Sequence, residues 1–320
     1  MSSPPDGQRA SLRMKLPATS ANLGSGFDAA AVALDFHLEI EAHPAGEYSI
    51  VATGRDADRC SRLDDNLILD IYRKLLAENL RPEIPLALRM ANGIPLGMGC
   101  GSSAAGRLAG IVLAARFGQL DWSSDRILEE AGRLEGHPDN VAACWLGGLV
   151  IAAQSEGGVQ VAEVTPSSEW RAIIALPQKP LATSKARALL PDSYPRDVVV
   201  ANIQAAALLG LAFAQARGEL LPAAMQDGIH QPYRMSACPL LPPLLGLAGK
   251  GAGILGVALS GAGPAVLVVV DRSSNVAAAM ESIRSAVSDI EEPELLVCGF
   301  EQRGAKQFLE EDGWDFQIAP

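Results

Sequence analysis

Hydrophobic residues recur at helical spacing in several segments of the chain. Between residues 66 and 78, Leu67, Ile71 and Leu75 lie on one face, as in an amphipathic helix capped by Asp64 or Asp65. The same spacing, or an Ala/Leu-rich run, predicts further helices at 104–115, 125–134, 140–143, 198–217, 222–229, 240–248 and 275–287.

Short alternating or β-branched segments lie between these helices and predict strands at 12–17, 29–42, 47–52, 86–90, 148–153, 171–176, 257–259, 265–270 and 294–300. Because they mix with helices without regular βαβ alternation, the chain is predicted to be α+β and not a doubly wound sheet. Turn-rich sequence between residues 155 and 168 predicts a domain of residues 1–160 and a domain of residues 161–320, with residues 1–10 as a loose tail.

Charge and cysteine usage restrict the function classes. The 320 residues include 26 Lys+Arg and 37 Asp+Glu, a net charge of −11, which disfavours nucleic-acid and membrane partners. The first fifteen residues lack the apolar segment of a signal peptide, and the longest apolar runs, 141–153 and 254–270, do not fit a membrane span. Five cysteines without a CxxC pair disfavour a zinc site or a disulfide framework. We therefore expect a cytoplasmic protein.

The stretch PLGMGCGSSAAG, residues 95–106, carries the most specific chemistry. Gly97, Gly99 and Gly101 permit positive φ angles, and a helix is predicted to begin at about Ala104. Backbone N–H groups and a helix N-terminus then surround one point, which is a ready anion site, and a serine there can bind Mg²⁺. A plain tight turn is the alternative. The stretch is not a Walker A loop, since no GK[ST] follows the glycines.

This stretch resembles the ATP loop PxxxGLGSSAA of the GHMP kinase superfamily, named for galactokinase, homoserine kinase, mevalonate kinase and phosphomevalonate kinase. Cys100 replaces the usual leucine; it is either a buried, inert thiol or a reactive one beside the helix N-terminus. The resemblance implies ATP and Mg²⁺ as cofactors. Asn66 matches a position near the adenine, although a helix-capping role fits it equally. The implied phosphate-binding residues are Pro95, Leu96, Gly97, Met98, Gly99, Cys100, Gly101, Ser102, Ser103 and Ala104.

Three further stretches are similar to homoserine kinases in particular. They are LPATSANLGSGFD (16–28, with Ser25 for a proline), EGHPDNVAACWLGG (135–148, with Ala143 for a proline) and SGAGPAV (260–266). Together with 180–191 and 230–234, the matches span nearly the whole chain. The resemblance implies a two-domain fold, with an N-terminal domain like the second domain of ribosomal protein S5 and a ferredoxin-like C-terminal domain. It also implies ATP-dependent phosphorylation of L-homoserine to O-phospho-L-homoserine, in threonine biosynthesis, by a possible homodimer.

Homoserine has a carboxylate, an ammonium group and a terminal hydroxyl. Carboxylates favour arginine, whose planar fork binds both oxygens, and an ammonium group favours carboxylate and amide oxygens. By default the Asx residues would cap turns and the arginines would be solvated. The resemblance instead implies roles in substrate binding for Asn22, Asp28, His137, Asn140, Arg187, Arg234 and Gly261, and places Thr183 near the transferred phosphoryl group.

The resemblance also implies a metal site and a base position. Ser103 matches one magnesium ligand, and in mevalonate kinase the other is a glutamate eleven residues before an aspartate base. Counting back from Asn140 gives Glu129, with the adjacent Glu130 as the alternative. Asn140 stands where the aspartate would be, and an amide cannot be a general base at neutral pH. We therefore expect catalysis by positioning and charge neutralisation, with Asp139 structural.

Three rival functions remain from the sequence. A different kinase of the superfamily would act on threonine, mevalonate or a diphosphocytidyl-polyol; the paired arginines favour an amino acid, and threonine is the hardest to separate. A non-catalytic sensor of nucleotide or amino acid would not need Ser103 and Glu129. A nucleic-acid-binding protein, which the S5-like fold also permits, is disfavoured by the acidic charge.

Overall fold

Two mainly antiparallel sheets and their covering helices make up the fold, which a computed structural model describes for residues 11–155, 158–271 and 276–314. The predicted tail, residues 1–10, lies outside the described residues. The strands are β1 (Leu12–Asn22), β2 (Gly26–Pro44), β3 (Ser49–Gly54), β4 (Leu86–Asn92), β5 (Leu149–Ser155), β6 (Gly158–Val164), β7 (Trp170–Leu176), β8 (Ile254–Leu259), β9 (Val266–Asp271) and β10 (Glu294–Cys298).

The helices alternate irregularly with these strands, as the α+β prediction requires. They are α1 (Ala57–Cys60), α2 (Leu67–Glu78), α3 (Ser102–Phe117), α4 (Ser124–Glu135), α5 (Asp139–Leu146), α6 (Thr183–Arg187), α7 (Arg196–Ala214), α8 (Leu221–Ala224), α9 (Gln231–Arg234), α10 (Leu241–Leu245), α11 (Val276–Ala286) and α12 (Ala305–Glu311). Short 3₁₀ turns occupy Gly218–Leu220 and Met235–Ala237.

The first sheet is built around the long strand β2. Its order is β3-β4-β2-β5-β6, and β1 pairs with β2 along most of its length. One end of β2 pairs with β4 and the other with β5, so a single strand joins both halves of the sheet. Helix α3 covers the sheet with small buried residues. A Cβ at Gly110 would lie 2.7 Å from Ile71 Cβ, so glycine lets α2 and α3 approach closely.

In the second sheet, β10-β7-β9-β8, the central strands β7 and β9 are buried on both faces and their residues alternate between two cores. Ile173, Val266 and Val268 pack with residues of α10 and α11. Ile174 and Leu267 join the large core that includes the first sheet. Because successive residues of β7 and β9 face different cores, both strands are almost uninterrupted apolar runs. The sheet thereby shares a hydrophobic layer with the first half of the molecule.

Several elements were not predicted from the sequence, namely β6, α12 and the short helices α1, α6 and α9. Strand β6 extends the first sheet to Val164, so the predicted division between residues 160 and 161 falls inside this strand, and the second sheet begins at Trp170. Near the other end of the chain, α12 packs against β1 of the first sheet. The domain bounds of 1–160 and 161–320 therefore stay a prediction.

Helix α7 is the most apolar element of the surface. Among the described residues it is the single helix with the length and hydropathy of a membrane span, with a mean hydropathy of 1.7 and 17% of its residues buried. Length and composition alone are weak evidence for a span. Val200, Ile203 and Leu211 on this helix are exposed.

Candidate active site

Three loops from distant parts of the chain meet at one cleft. They are the turn after β1, the glycine-rich loop before α3, and the turn between β8 and β9. Gly261 N donates to Ala21 O (3.0 Å), and Ser260 Oγ donates to Gly99 O (2.8 Å). The turn between β8 and β9 therefore contacts both of the other loops. The cleft contains a cavity of about 460 Å³.

The glycine-rich loop has the geometry of an anion site. Gly97, Gly99 and Gly101 have φ angles of +73°, +81° and +73°, which a residue with a Cβ rarely adopts, and α3 begins at the next residue, Ser102. A Cβ at Gly99 would collide with Ser260 O of the second half of the chain. The loop therefore presents its backbone and the N-terminus of a sixteen-residue helix to the cavity.

The ATP-loop residues do not all face the cavity. Leu96, Gly97, Gly99, Gly101, Ser102, Ser103 and Ala104 line it, whereas Pro95, Met98 and Cys100 do not. Cys100 is fully buried, and burial raises the pKa of its thiol to about 12. Of the two alternatives for this cysteine, the structure supports the inert one.

Asn66 lines the same cavity but is occupied as a helix cap. Its Oδ1 accepts hydrogen bonds from the backbone N–H groups of Ile68 (3.1 Å) and Leu69 (3.3 Å). Its Nδ2 donates to the carbonyl oxygens of Cys60 and Arg62. The capping role is confirmed, in place of a cap by Asp64 or Asp65, while a contact with adenine stays a prediction.

A cluster of charged groups lines the same cavity. Arg187 donates two hydrogen bonds to Asp28, and Asn22 fixes the loop that carries Asp28, because its Oδ1 accepts from Asp28 N (3.0 Å). The Asn22 amide also donates to Gly261 O (2.8 Å). Thus four predicted substrate-binding residues, from both halves of the chain, contact one another directly.

Arg234 completes this cluster from α9. Its side chain is almost fully buried, with Nε donating to Ala186 O (3.2 Å), and it lines the cavity. Burial and the neighbouring charge of Arg187 lower the pKa of Arg234 below its ordinary value. Among the described residues no carboxylate lies within 4.0 Å of its guanidinium nitrogens, so its positive charge has no ion-pair partner. Such a group is suited to bind an incoming anion.

His137, Asp139 and Asn140 lie at the start of α5 and are interlocked. Asp139 Oδ1 lies 2.7 Å from His137 Nδ1 and accepts a hydrogen bond from Asn140 N (2.7 Å). Burial alone would lower the pKa of His137, but the hydrogen bond and charge of Asp139, with Asp28, raise it above its ordinary value. Asp139 is buried, and its Oδ1 makes these contacts, which accords with the structural role expected of it.

The Asn140 side chain is held at a fixed orientation. Thr19, on β1, donates from Oγ1 to Asn140 Oδ1 at 2.7 Å, and Asn140 Nδ2 lies 3.3 Å from Asp139 Oδ1. Thr183, at the start of α6, is exposed and lines the same cavity. The positions of Asn140 and Thr183 therefore agree with the sequence prediction that both reach the cleft.

The glutamate predicted as a metal ligand requires correction. Glu129 is 45% exposed, contacts Arg126 and lies against Gly158 of β6, outside the cavity. Glu130 is buried away from the cavity by ion pairs with Arg126 and Arg133. The helical phase of α4 points both residues away from the glycine-rich loop.

Glu135, at the end of α4, is an alternative oxygen ligand on the same helix. It lines the cavity, and Arg107 contacts both its carboxylate and Ser103 Oγ. Glu135 Oε2 lies 2.5 Å from Arg107 Nη1 yet has no hydrogen bond of normal geometry, although it is buried. A buried carboxylate oxygen without such a bond, beside a serine hydroxyl, fits the oxygen ligands that Mg²⁺ prefers.

Comparisons with known proteins agree with this architecture. Residues 66–148 match the model of the GHMP kinases N terminal domain, and residues 210–289 match that of the GHMP kinases C terminal. The chain is 42% identical over 297 residues to a homoserine kinase of Solibacter usitatus, covering 91% of this chain and 95% of that one. It is 36% identical to one of Synechocystis, covering 82% and 86% of the two chains. The chain belongs to the homoserine kinase family.

Solved structures agree with the fold of this homoserine kinase family member. A homoserine kinase structure from Cytophaga hutchinsonii is 25% identical, with a TM-score of 0.75 over 95% of this chain and 99% of that one. Mevalonate kinase of L. major, at 13% identity and a TM-score of 0.67, covers 92% and 97% and shares the fold alone. The predicted α+β, two-domain GHMP kinase fold is confirmed, as is the prediction of an ATP-dependent small-molecule kinase.

Sequence reasoning about this homoserine kinase family member missed four residues of the site. Thr19 and Phe27 lie inside a quoted motif but were not assigned roles, although Thr19 orients Asn140 and Phe27 lines the cavity between the two arginines. Glu135 opens the EGHPDN motif, and only its position in the motif could have indicated it. Nothing in the sequence indicated the contacts of Arg107.

Proposed function

We propose that this kinase transfers the γ-phosphoryl group of ATP to the side-chain hydroxyl of L-homoserine, giving O-phospho-L-homoserine for threonine biosynthesis in the cytoplasm. One observation carries the proposal: a single cavity is lined both by an anion-binding loop and by the Asp28–Arg187–Arg234 cluster. The first suits a triphosphate and the second suits a zwitterionic amino acid.

The charged cluster is the proposed site of the amino-acid head group. Arg234, which has no ion-pair partner of its own among the described residues, and Arg187 bind the substrate carboxylate. Asp28 and Asn22 accept hydrogen bonds from the ammonium group, while His137 and Asn140 line the hydroxyl end of the pocket. The carboxylates of Asp28 and Asp139 each have an oxygen within 4.8 Å of the other, so two acceptors lie beside the place where the ammonium group would bind.

The glycine-rich loop is the proposed site of the triphosphate. Its backbone and the N-terminus of α3 bind the phosphates, and Ser103 and Glu135 would hold Mg²⁺. When bound, Mg²⁺ neutralises charge on the phosphate oxygens. Asn66 beside the adenine and Thr183 beside the transferred phosphoryl group belong to the same proposal.

The phosphoryl transfer needs no general base in this proposal. The hydroxyl oxygen of homoserine attacks the γ-phosphorus in line, and the bond to the bridging oxygen of ADP breaks with its electron pair. The hydroxyl proton passes to a phosphate oxygen or to water. Asn140, whose Oδ1 is engaged by Thr19, orients the hydroxyl and cannot accept its proton.

Release of ADP tests the function when homoserine, threonine and mevalonate are compared at equal concentrations. We expect turnover with homoserine at least about tenfold above threonine, since the hydroxyl of threonine sits one carbon closer to the head group and is misaligned. Turnover with threonine alone, or with none of the three, would contradict the assignment.

The role of Asn140 has its own test. Asn140→Ala is expected to lower kcat about 10- to 100-fold, because only orientation is lost. Thr19→Val removes just the hydroxyl that fixes the amide and should lower kcat by a smaller factor in the same direction. If Asn140→Ala abolished turnover by four or more orders of magnitude with both binding constants unchanged, the residue would need a direct chemical role.

The remaining partners stay proposals. A homodimer accords with the exposed apolar residues of α7, and the net charge of −11 argues against binding to nucleic acid or anionic lipid. Sedimentation of the purified protein, with and without lipid vesicles or RNA, would measure its oligomeric state and any binding to lipid or RNA.

A further inference from the structure

Arg234 is held by a buried histidine that the proposed function does not use. His230 is fully buried; its Nε2 lies 2.9 Å from Gly24 O, and its Nδ1 lies 3.2 Å from Arg234 Nη1. A carbonyl oxygen only accepts a hydrogen bond and a guanidinium only donates one. Both bonds can form together only if the imidazole is neutral, with its proton on Nε2.

The surroundings of His230 fix the position of its ring. The Asp227 carboxylate accepts hydrogen bonds from the backbone N–H groups of Ile229 (2.8 Å) and Gln231 (2.7 Å), which secures the chain on both sides of the histidine. The Phe27 ring stacks on the imidazole, with centroids 5.2 Å apart and planes at 24°. The imidazole is therefore a rigid acceptor for Arg234.

The donors of Arg234 are divided between protein and cleft. Nε donates to Ala186 O, and Nη1 is shared between His230 Nδ1 and Gly261 O (3.4 Å). Among the described residues, no hydrogen bond from Nη2 is found, and the residue lines the cavity. The guanidinium is thus anchored on one side and open on the other, next to the like charge of Arg187, which would otherwise push it away.

We propose that His230 is a positioning residue, whose neutral imidazole accepts a hydrogen bond from Arg234 at Nδ1 and thereby aims the guanidinium at the substrate carboxylate. This rests on the proposed function only in naming the carboxylate. Burial and the charge of Arg234 lower the pKa of His230, against the opposing charges of Asp227 and Asp28, so the required neutral form is favoured. His230 does not touch the reacting atoms.

Two substitutions separate the two hydrogen bonds. His230→Asn keeps an oxygen near the Nδ1 position and loses the donor to Gly24 O, whereas His230→Gln keeps a donor near Nε2 and loses the acceptor for Arg234. We expect the KM for homoserine to rise about 20-fold in His230→Gln and less than about 3-fold in His230→Asn. The kcat and the KM for ATP should stay within about 2-fold of the parent in both.

A merely structural role would affect the two variants alike, so an equal rise in the KM for homoserine, or a matching change in the KM for ATP, would overturn the proposal.

Histidine ¹⁵N NMR of the ligand-free protein gives a second readout that does not depend on the substrate. The His230 signal, assigned by its loss in His230→Asn, should show a protonated Nε2 and an unprotonated Nδ1. The opposite tautomer, or an imidazolium, would also overturn it. If homoserine is not a substrate, this tautomer still tests the contact with Arg234, which separates failure of this inference from failure of the proposed function.

Discussion

Arg187 and Asp28 bind each other at the mouth of the cleft, through hydrogen bonds from Nη1 to Oδ2 (3.1 Å) and from Nη2 to Oδ1 (2.5 Å). Each partner has the charge that the proposed substrate needs at one end, a cation for its carboxylate and an anion for its ammonium group. The side chains of Arg187 and Asp28 are 37% and 33% exposed. Water therefore screens this ion pair, which adds little to the free energy of unfolding. In the proposed function this pair serves to bind the substrate.

Substitution of this pair should therefore affect substrate affinity more than stability. Asp28→Asn and Arg187→Met are each expected to raise the KM for homoserine about 30- to 100-fold, because each leaves one charged end of the substrate unpaired. The KM for ATP should stay within about 2-fold, and the free energy of unfolding within about 1 kcal/mol.

The double variant tests whether the two residues act together. Since they contact each other, its rise in KM should fall short of the product of the single effects. Steady-state kinetics and urea unfolding supply all the measurements. An unchanged KM for homoserine in Asp28→Asn would remove that residue from the binding site.

The metal site offers a direct choice between two glutamates of α4. Glu135→Gln is expected to weaken binding of Mn²⁺ in the presence of ADP about tenfold or more and to lower kcat, because a charged oxygen ligand is lost. Glu129→Gln, on the exposed face against β6, should change neither by more than about 2-fold. Electron paramagnetic resonance of Mn²⁺ measures the binding without turnover. A larger effect in Glu129→Gln would restore the assignment made from sequence.

The choice of Glu129 as a metal ligand and the failure to predict β6 are related, because Glu129 lies against that strand. The eleven-residue spacing from mevalonate kinase assumes the same connection between helix and base position, whereas here α4 continues to Glu135 and ends at Gly136, in the left-handed region. On this helix Glu129 faces β6. The sequence of β6, GVQVAEV, is short and follows a turn-rich segment, so it indicates part of a connection and does not reveal what Glu129 contacts.

Local sequence signals predicted the conformation of the glycine-rich loop, but they could not predict contacts between residues far apart in the sequence. Alternating glycines followed by Ser-Ser-Ala-Ala require positive φ angles and then a helix, and the chain forms both within ten residues. By contrast, the hydrogen bond between Thr19 and Asn140 joins residues 121 positions apart, and the contact of Gly24 with His230 joins residues 206 apart. No spacing rule within one sequence identifies such pairs.

The packing of the glycine-rich loop against the second half of the chain predicts unequal effects of two alanine substitutions. Gly97 and Gly99 both have positive φ angles, so alanine is strained at each by about 1 kcal/mol. At Gly97 the new methyl would meet only Pro180 Cβ at 3.3 Å. At Gly99 it would collide with Ser260 O and lie 2.9 Å from Gly263 O, which are backbone atoms that cannot move aside.

Gly99→Ala should therefore raise the KM for ATP about tenfold or more and lower the free energy of unfolding by about 3 kcal/mol, since the loop must shift. Gly97→Ala is the matched control: its free energy of unfolding should fall by about 1 kcal/mol, and its KM for ATP should rise less than in Gly99→Ala. Urea unfolding and steady-state kinetics compare the two. Equal effects would mean that the close approach of the loop to Ser260 does not persist in solution.

The His137–Asp139 contact predicts how stability depends on pH. The pKa of His137 is raised in the folded protein, so the pair contributes stability that is complete below the ordinary histidine pKa, near 6.5, and is lost as pH rises through the folded value. His137→Gln should therefore lower the free energy of unfolding by about 2 kcal/mol at pH 5.5 and by less at pH 9. His43→Gln, which removes an exposed histidine of β2, is the control. A deficit of His137→Gln that stays constant, or grows, from pH 5.5 to pH 9 would show that Asp139 does not stabilise the charged imidazole.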